Sequence, residues 1–443
     1  MNILALDVGT SAVKAAVLNA ETCMPVGATA RVAYVLDAPT PEAAEVPAQR
    51  LWQTVARAAR SAVVQSGVSG KAGQDVQGVG LSCFTPGLVL VDKKDRPLRP
   101  IWTHLDRRAR LAARQTWGAV GEEFLATTGN RPLPGGISVL CLRELYTLDP
   151  YLLHEVRSYL HANSWLGFHM TGEKAFDPAN ACFTGLFGTM TDRQWSPRWC
   201  DYFEVDGKWL PPVISGDATL GTVRAEVAAE LSVPAGVPCK LGTADTTSAM
   251  LAAGMAAGDL LHELGTTQVL ATLTDKPVPS PRRLTRLAGV GQSYVQVTHN
   301  PVGGVAFDWL HELCFRDQTR DEFFTKTVPA AMEHASRVTL DPPYLGGDRL
   351  EIDARRAAFR DLELTTSRLD LLAALLEAMV RGHRDALAAL GQGNSFRRIF
   401  LSGGGADLVR RLLPEYRGEN VGEIEEASLM GIVRLFVPGK NSE

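Results

Sequence analysis

The turn Gly-Thr-(Ser/Thr) occurs twice in this chain in the same setting, and that repetition constrains the fold more than any other feature. Residues 3–18 read ILALDVGTSAVKAAVL and residues 261–273 read LHELGTTQVLATL. Sliding one on the other places Gly9-Thr10-Ser11 on Gly265-Thr266-Thr267 and Asp7 on Glu263. The turns stand 256 residues apart, more than half of a chain of 443. In each copy a carboxylate closes an apolar run, the turn follows, and a second strand-like run begins, the pattern of a β-hairpin. Duplicated domains, each opening on a hairpin, produce this.

Glycine in such a turn takes backbone conformations closed to other residues, and the neighbouring hydroxyls and N–H groups can converge on an anion. An ordinary polar hairpin turn has the same composition, so either turn alone decides little. A third glycine-rich turn stands in IFLSGGGADLVRRLL, where Ile399–Ser402 reads as a strand, Gly403–Gly405 as a tight loop and Asp407–Leu413 as a helix. A loop without side chains before a helix lets a nucleotide approach the backbone. In KLGTADTTSAML, Asp245 ends a strand and precedes a small-residue helix, Thr246–Ala253. The helix's positive end would keep that carboxylate ionised and fixed in direction. An ordinary helix N-cap also places Asp there. Neither Gly-x4-Gly-Lys-(Ser/Thr) nor a first-strand Gly-x-Gly-x-x-Gly is present, which removes support for phosphate-loop NTPases and Rossmann dehydrogenases.

Helical periodicity runs through Trp52–Val64 and through Leu369, Leu372, Leu376, Met379 and His383, with further helices expected at Val223–Leu231 and Glu425–Leu435. Hairpins followed by helices predict an α/β protein with mixed sheets flanked by helices, because a hairpin forces antiparallel neighbours into a crossover-built sheet. The Pro-Gly cluster at 233–245 marks the expected boundary and a hinge, dividing the chain into domains 1–238 and 239–443. The stretch 100–215, rich in loops, reads as an insertion shaping the first domain's lip.

A formal charge of −4, from 45 basic and 49 acidic residues with no long like-charge run, disfavours nucleic acid and anionic membrane partners. No basic leader and no stretch of about 18 apolar residues occurs. Seven scattered cysteines and nine dispersed histidines, without Cys-x-x-Cys or His-x-x-x-His, point to reduced thiols in a cytoplasm and to no zinc site.

The ordered set Asp7-Val8-Gly9-Thr10-Ser11-x-x-Lys14, Gly-x-x-Asp245, Gly265-Thr266-Thr267 and Gly403-Gly404-Gly405-Ala406 resembles the FGGY family of carbohydrate kinases. So do LRPIWTHLDRRA, FHMTGEKAFDPANACFTGLF and PPYLGGDRLEIDARRAAFRDLEL, and the likeness covers nearly the whole chain. The resemblance implies two actin-like, ribonuclease H-like domains, the first binding sugar and the second nucleotide, with the active site in the cleft between them. Carried over by position, Asp245 would take a proton from a sugar hydroxyl, and Asp7 with Asp245 would hold Mg²⁺. Thr10, Ser11, Lys14, Gly265, Thr266 and Thr267 would surround the phosphates of ATP. Gly404, Gly405 and Ala406 would border the adenosine, and Thr85, Pro86, His104, Asp106 and Thr246 the small sugar or polyol.

The chain departs from the family at the sugar pocket. Xylulose-type kinases have Gly-Gln-Met-His-Gly where it has Cys83-Phe84-Thr85-Pro86-Gly87, and many members have Trp where it has His104. Losing those hydrogen-bonding groups argues against D-xylulose, and the absence of the Arg-Glu pair of glycerol kinases near Thr85 argues against glycerol. Arg356 and Asp407 also depart from the family pattern. Two other readings stand beside an active kinase: a catalytically weak relative that binds sugar or nucleotide, and an actin-like ATPase without a sugar acceptor. A homodimer is the assembly that base rates favour.

Overall fold

The computed structural model describes residues 1–67, 75–265, 267–345, 349–391 and 396–437. Two six-stranded sheets carry the repeat. The first holds β1 (Asn2–Val8), β2 (Ala12–Asn19), β3 (Ala30–Ala33), β4 (Val76–Cys83), β5 (Thr219–Thr222) and β6 (Pro238–Ala244), in the order β3-β2-β1-β4-β6-β5. The second holds β7 (Leu260–Leu264), β8 (Gln268–Thr274), β9 (Leu284–Leu287), β10 (Tyr294–Asn300), β11 (Ile399–Ser402) and β12 (Val421–Glu423), in the order β9-β10-β8-β7-β11-β12.

The duplication is legible in register. β1 pairs antiparallel with β2 and parallel with β4, which sets Asp7 opposite Lys14 on one side and Ser82 on the other. β7 repeats this with β8 and β11, setting Glu263 opposite Ser402. Each sheet therefore presents a carboxylate near the end of its leading strand, beside a serine of the crossover strand. Mixed sheets flanked by helices are what the hairpin-then-helix pattern predicts.

Five helices position the site: α1 (Ala48–Gln65), α2 (Asp245–Ala252), α3 (Arg368–Leu390), α4 (Ala406–Leu412) and α5 (Ala427–Arg434). α1 buries Leu51, Trp52, Val55 and Ala59 in the first sheet's core. α3 starts where Ser367 Oγ accepts from the N–H of Asp370, and it fills the second core with Leu372, Leu376 and Met379. The lip expected between 100 and 215 contains much of a four-stranded antiparallel sheet (Glu45–Val46, Gly87–Val91, Ile101–Thr103, Ser158–His161). Its own apolar cluster, around Trp102, Phe124, Tyr159 and Trp199, also takes in Leu287 and Tyr294 of the second sheet.

At the boundary expected at 238, β6 runs from Pro238 to Ala244 inside the first sheet. The Pro-Gly cluster is the turn that feeds this strand from the helix Ala225–Leu231. Beyond it the two halves exchange helices. α5 closes over Ile3, Ala5, Ala16 and Leu18 of the first sheet with Leu429, Ile432 and Val433. α2 sends Ala249 and Met250 into a cluster with Leu261, Ala271 and Val295 of the second. The helices touch so closely that a Cβ on Gly431 would stand 1.7 Å from the carbonyl oxygen of Ser248.

Candidate active site

A cavity of about 340 Å³ lies between the sheets, lined by Gly9, Thr10 and Ser11 of the first hairpin turn and by Gly265 and Thr267 of the second. Asp245, Thr246 and Glu263 line it too. Thr266, the remaining member of the second turn, lies outside the described residues. Two further cavities continue from it. One of about 380 Å³ shares Gly265 and adds Gln268, Phe307, Met379, Gly404 and Gly405. The other, about 390 Å³, shares Gly404 and adds Asp7, Lys14, Ala406 and Glu426. The residues singled out in four distant stretches of sequence thus gather along one connected cleft.

Backbone geometry aims each element at it. The first turn closes through Gly9 N–H to the carbonyl of Ala12 at 3.0 Å, and the Tyr34 hydroxyl donates to the carbonyl of Gly9 at 2.6 Å. In β6 the register against β4 slips between Lys240 and Thr243, a bulge with one extra residue. Gly242 occupies it with φ of +65°, and a Cβ there would stand 1.8 Å from the carbonyl oxygen of Leu81. Only glycine fits, which explains Gly-x-x-Asp: the bulge delivers Asp245 to the cleft. The N-cap reading of Asp245 does not hold, since the cap position is Ala244 and the Asp245 carboxylate accepts from the adjacent Thr246 N–H at 2.7 Å. The Thr246 hydroxyl sits 3.0 Å from Glu263 Oε2 and 3.3 Å from Asp245 Oδ1, between the two carboxylates.

The carboxylates crowd one another. Burial, and then the charge of Asp245, push Asp7 up to about 7 against the opposing pull of Lys14. Burial and the charges of Asp245 and Asp7 also raise Glu263. Arg286, buried, reaches the Thr247 hydroxyl and feels Asp245 and Glu263 as counter-charges. Lys14 is tied to Glu426 at 2.9 Å. Among the described residues no three His, Cys, Asp or Glu side chains converge to enclose a metal ion. Hard carboxylate oxygens on facing walls nonetheless suit Mg²⁺, which keeps several waters and shares its shell with phosphates.

The cavity is also lined by Thr85, Pro86, His104 and Arg107 from the first half and by His299 and Arg349 from the second. The Thr85 hydroxyl donates to Asn180 Oδ1. Burial holds His299 down to about 3 and His104 well below the ordinary imidazole range, so both rings are neutral. Asp106, expected beside the sugar or polyol, is fully buried and is not among the residues lining the cavity. Its carboxylate is held by Arg108 Nη2 at 2.6 Å and by the Ala44 N–H at 3.0 Å. Arg107 donates to the carbonyls of Pro134 at 2.7 Å and His104 at 2.8 Å.

Sequence reasoning did not select Glu263, Arg286, His299 and Arg349 as site residues. Glu263 was visible as the register partner of Asp7 and Arg349 stood in a quoted motif; a lone arginine in a strand, such as Arg286, carries no local signal.

Residues 2–252 match the profile described as "FGGY family of carbohydrate kinases, N-terminal domain", and residues 260–434 the corresponding C-terminal domain. Erythritol kinase of Brucella abortus (strain 2308) is 28% identical over 91% of this chain and 80% of its own length. L-xylulose/3-keto-L-gulonate kinase of Escherichia coli (strain K12) is 26% identical over 97% of this chain and 86% of its own. The crystal structure of xylulose kinase from Rhodospirillum rubrum superposes with a TM-score of 0.85 at 23% identity, covering 98% of this chain and 89% of that one, a likeness of fold.

Proposed function

The chain belongs to the FGGY family of carbohydrate kinases, enzymes that phosphorylate a sugar or polyol with ATP, and from that premise we propose that Asp245 is the general base of the transfer. One observation carries the assignment: the Asp245 carboxylate and donor turns from both sheets line a single cavity.

In this reading the acceptor oxygen attacks the γ-phosphorus, the new O–P bond forms as the bond to ADP breaks, and the hydroxyl proton passes to Asp245. An ordinary carboxylate is a weak base, so it takes the proton late, and positioning and charge stabilisation supply most of the acceleration. Thr10, Ser11 and Lys14 hold the triphosphate from one hairpin, with Gly265, Thr266 and Thr267 from the other. Gly404, Gly405 and Ala406 border the adenosine, beside Phe307 and Met379. Asp7 and Asp245 would hold Mg²⁺, which when bound neutralises phosphate charge and relieves the repulsion that raises Asp7. Thr85, Pro86, His104 and Thr246 border the acceptor, and Asp106 acts behind them by fixing Arg108.

Two features outside the cleft belong to the same reading. All seven cysteines are free and six are buried, which fits the reducing cytoplasm. Among the described residues no helix is long and apolar enough to cross a membrane. A homodimer, the commonest assembly, is checked by light scattering.

Asp245→Asn tests the base. Acceptor-dependent ADP release is expected to fall by about 10² to 10⁴, the usual worth of a general base, with ATP affinity nearly intact. Near-normal turnover in this variant would assign the proton to another group.

A further inference from the structure

We propose that Asn180 is a positioning residue for acceptor selection: it holds the proton of the Thr85 hydroxyl turned out of the cavity, so that Thr85 accepts a hydrogen bond from the substrate and cannot donate one. This rests on the kinase reading above and states how that site chooses its acceptor.

Thr85 lines the cavity, and its hydroxyl donates to Oδ1 of Asn180, a buried residue that is not among those lining the wall. The direction of that bond is fixed from behind. Asp177, wholly buried, gathers four N–H donors: Nδ2 of Asn180 at 2.7 Å and of Asn163 at 3.0 Å, and the backbone N–H groups of Ala179 at 3.0 Å and Asn180 at 3.3 Å. Burial raises its pKa, and the bonds from Asn180 are first among the groups that draw it back. Four donors around two oxygens leave no place for a proton, so the carboxylate only accepts. The Asn180 amide must then turn its NH₂ to Asp177 and its oxygen to Thr85.

The second lone pair of that oxygen is taken by His161 Nδ1 at 3.1 Å. Burial holds His161 down to about 3, so the ring is neutral and carries one proton, which sits on Nδ1 because an amide oxygen donates nothing. Nε2 is then an acceptor, filled by the Ser138 hydroxyl at 2.6 Å, whose oxygen lies 2.6 Å from the Tyr159 hydroxyl. Each member of the chain has one direction open to it. Turning the Thr85 proton toward the cavity would break a hydrogen bond to a buried amide oxygen.

The cavity is therefore offered a lone pair. A ligand hydroxyl can donate to it, whereas a carbonyl, an ether oxygen or a carboxylate at that place cannot. Xylulose-type kinases carry Met at this place in Gly-Gln-Met-His-Gly, a residue without a hydroxyl, so the device belongs to this chain's own pocket.

The test is a coupled ADP-release assay on the full chain, first over alditols, aldoses, ketoses and aldonates of four to six carbons. Singly deoxyfluoro and aminodeoxy forms of the acceptor used best follow. Fluorine cannot donate, and an ammonium group only donates. At one carbon other than the phosphorylated one, the fluoro form should lose about tenfold in kcat/KM, the worth of one hydrogen bond, and the amino form about threefold or less. In Thr85→Val the two should fall within about twofold of each other. Asn180→Ala should lower acceptor kcat/KM about 5- to 30-fold through KM and leave the KM for ATP unchanged. Combined with Thr85→Val it should add less than about twofold, because it acts through that hydroxyl. Losses that multiply in the double variant, or an amino form no better than the fluoro form at every carbon, would each overturn the proposal. The analogue comparison decides alone if Asn180→Ala does not fold. ADP release that no acceptor raises above the acceptor-free rate would remove the kinase reading and this proposal with it, a distinguishable failure.

Discussion

At the scale of single residues the cleft trades stability for charge. Asp7 ionises only at about pH 7, against an ordinary value of 3.8, because its charge is desolvated and faces Asp245. A carboxylate with a raised folded pKa binds more protons folded than unfolded, so its contribution to stability is present below about pH 4 and is lost as pH rises toward 7. In the ligand-free chain Asp7→Asn should therefore raise stability at pH 8, by about 1–3 kcal/mol, and should leave it unchanged at pH 3.5. Urea unfolding at both pH values checks this, and the same variant should lose most kinase activity. Asp7 and Asp245 were readable in the sequence because each ends an apolar run beside a glycine turn. The surroundings of Asp106 were not readable, because its motif places two arginines next to it and only folding decides that Arg108, not Arg107, closes on the carboxylate.

At the scale of elements, two close approaches hold the site in place. Gly242 lets β6 bulge and carry Asp245 to the cleft, and Gly431 lets α5 lie against α2. Neither can accept a side chain without moving backbone. Gly431→Val should cost at least about 1–3 kcal/mol by overpacking, read as a lower urea midpoint with no change in m-value. Gly242→Val should cost a similar amount and also depress kcat, since it shifts the strand that leads to Asp245, the proposed base. The hairpins and the longest helices were legible because their periods are long and clean. The role of the Pro-Gly stretch was less legible, because a turn between a helix and a strand has the composition of a linker between domains. The partners of α2 and α5 were equally hidden, since an apolar helix face does not say which sheet it covers.

At the scale of the whole molecule, one of the ties across the cleft is weak. Lys14 on β2 pairs at 2.9 Å with Glu426, just ahead of α5, on an exposed surface where ion pairs contribute little. In the proposed reading ATP competes with Glu426 for that ammonium. Glu426→Gln should therefore lower the KM for ATP, by no more than about fivefold given the small worth of exposed pairs, and added salt should shrink the difference. Twofold or larger weakening of ATP binding would instead mean that Glu426 positions Lys14 for the phosphates.

The crossing of α5 onto the first sheet has a consequence for synthesis. Ile3, Ala5, Ala16 and Leu18 are made more than 400 residues before the helix that covers them, Ala427–Arg434. A nascent chain stalled before residue 427 therefore lacks the helix that buries this face of the first sheet.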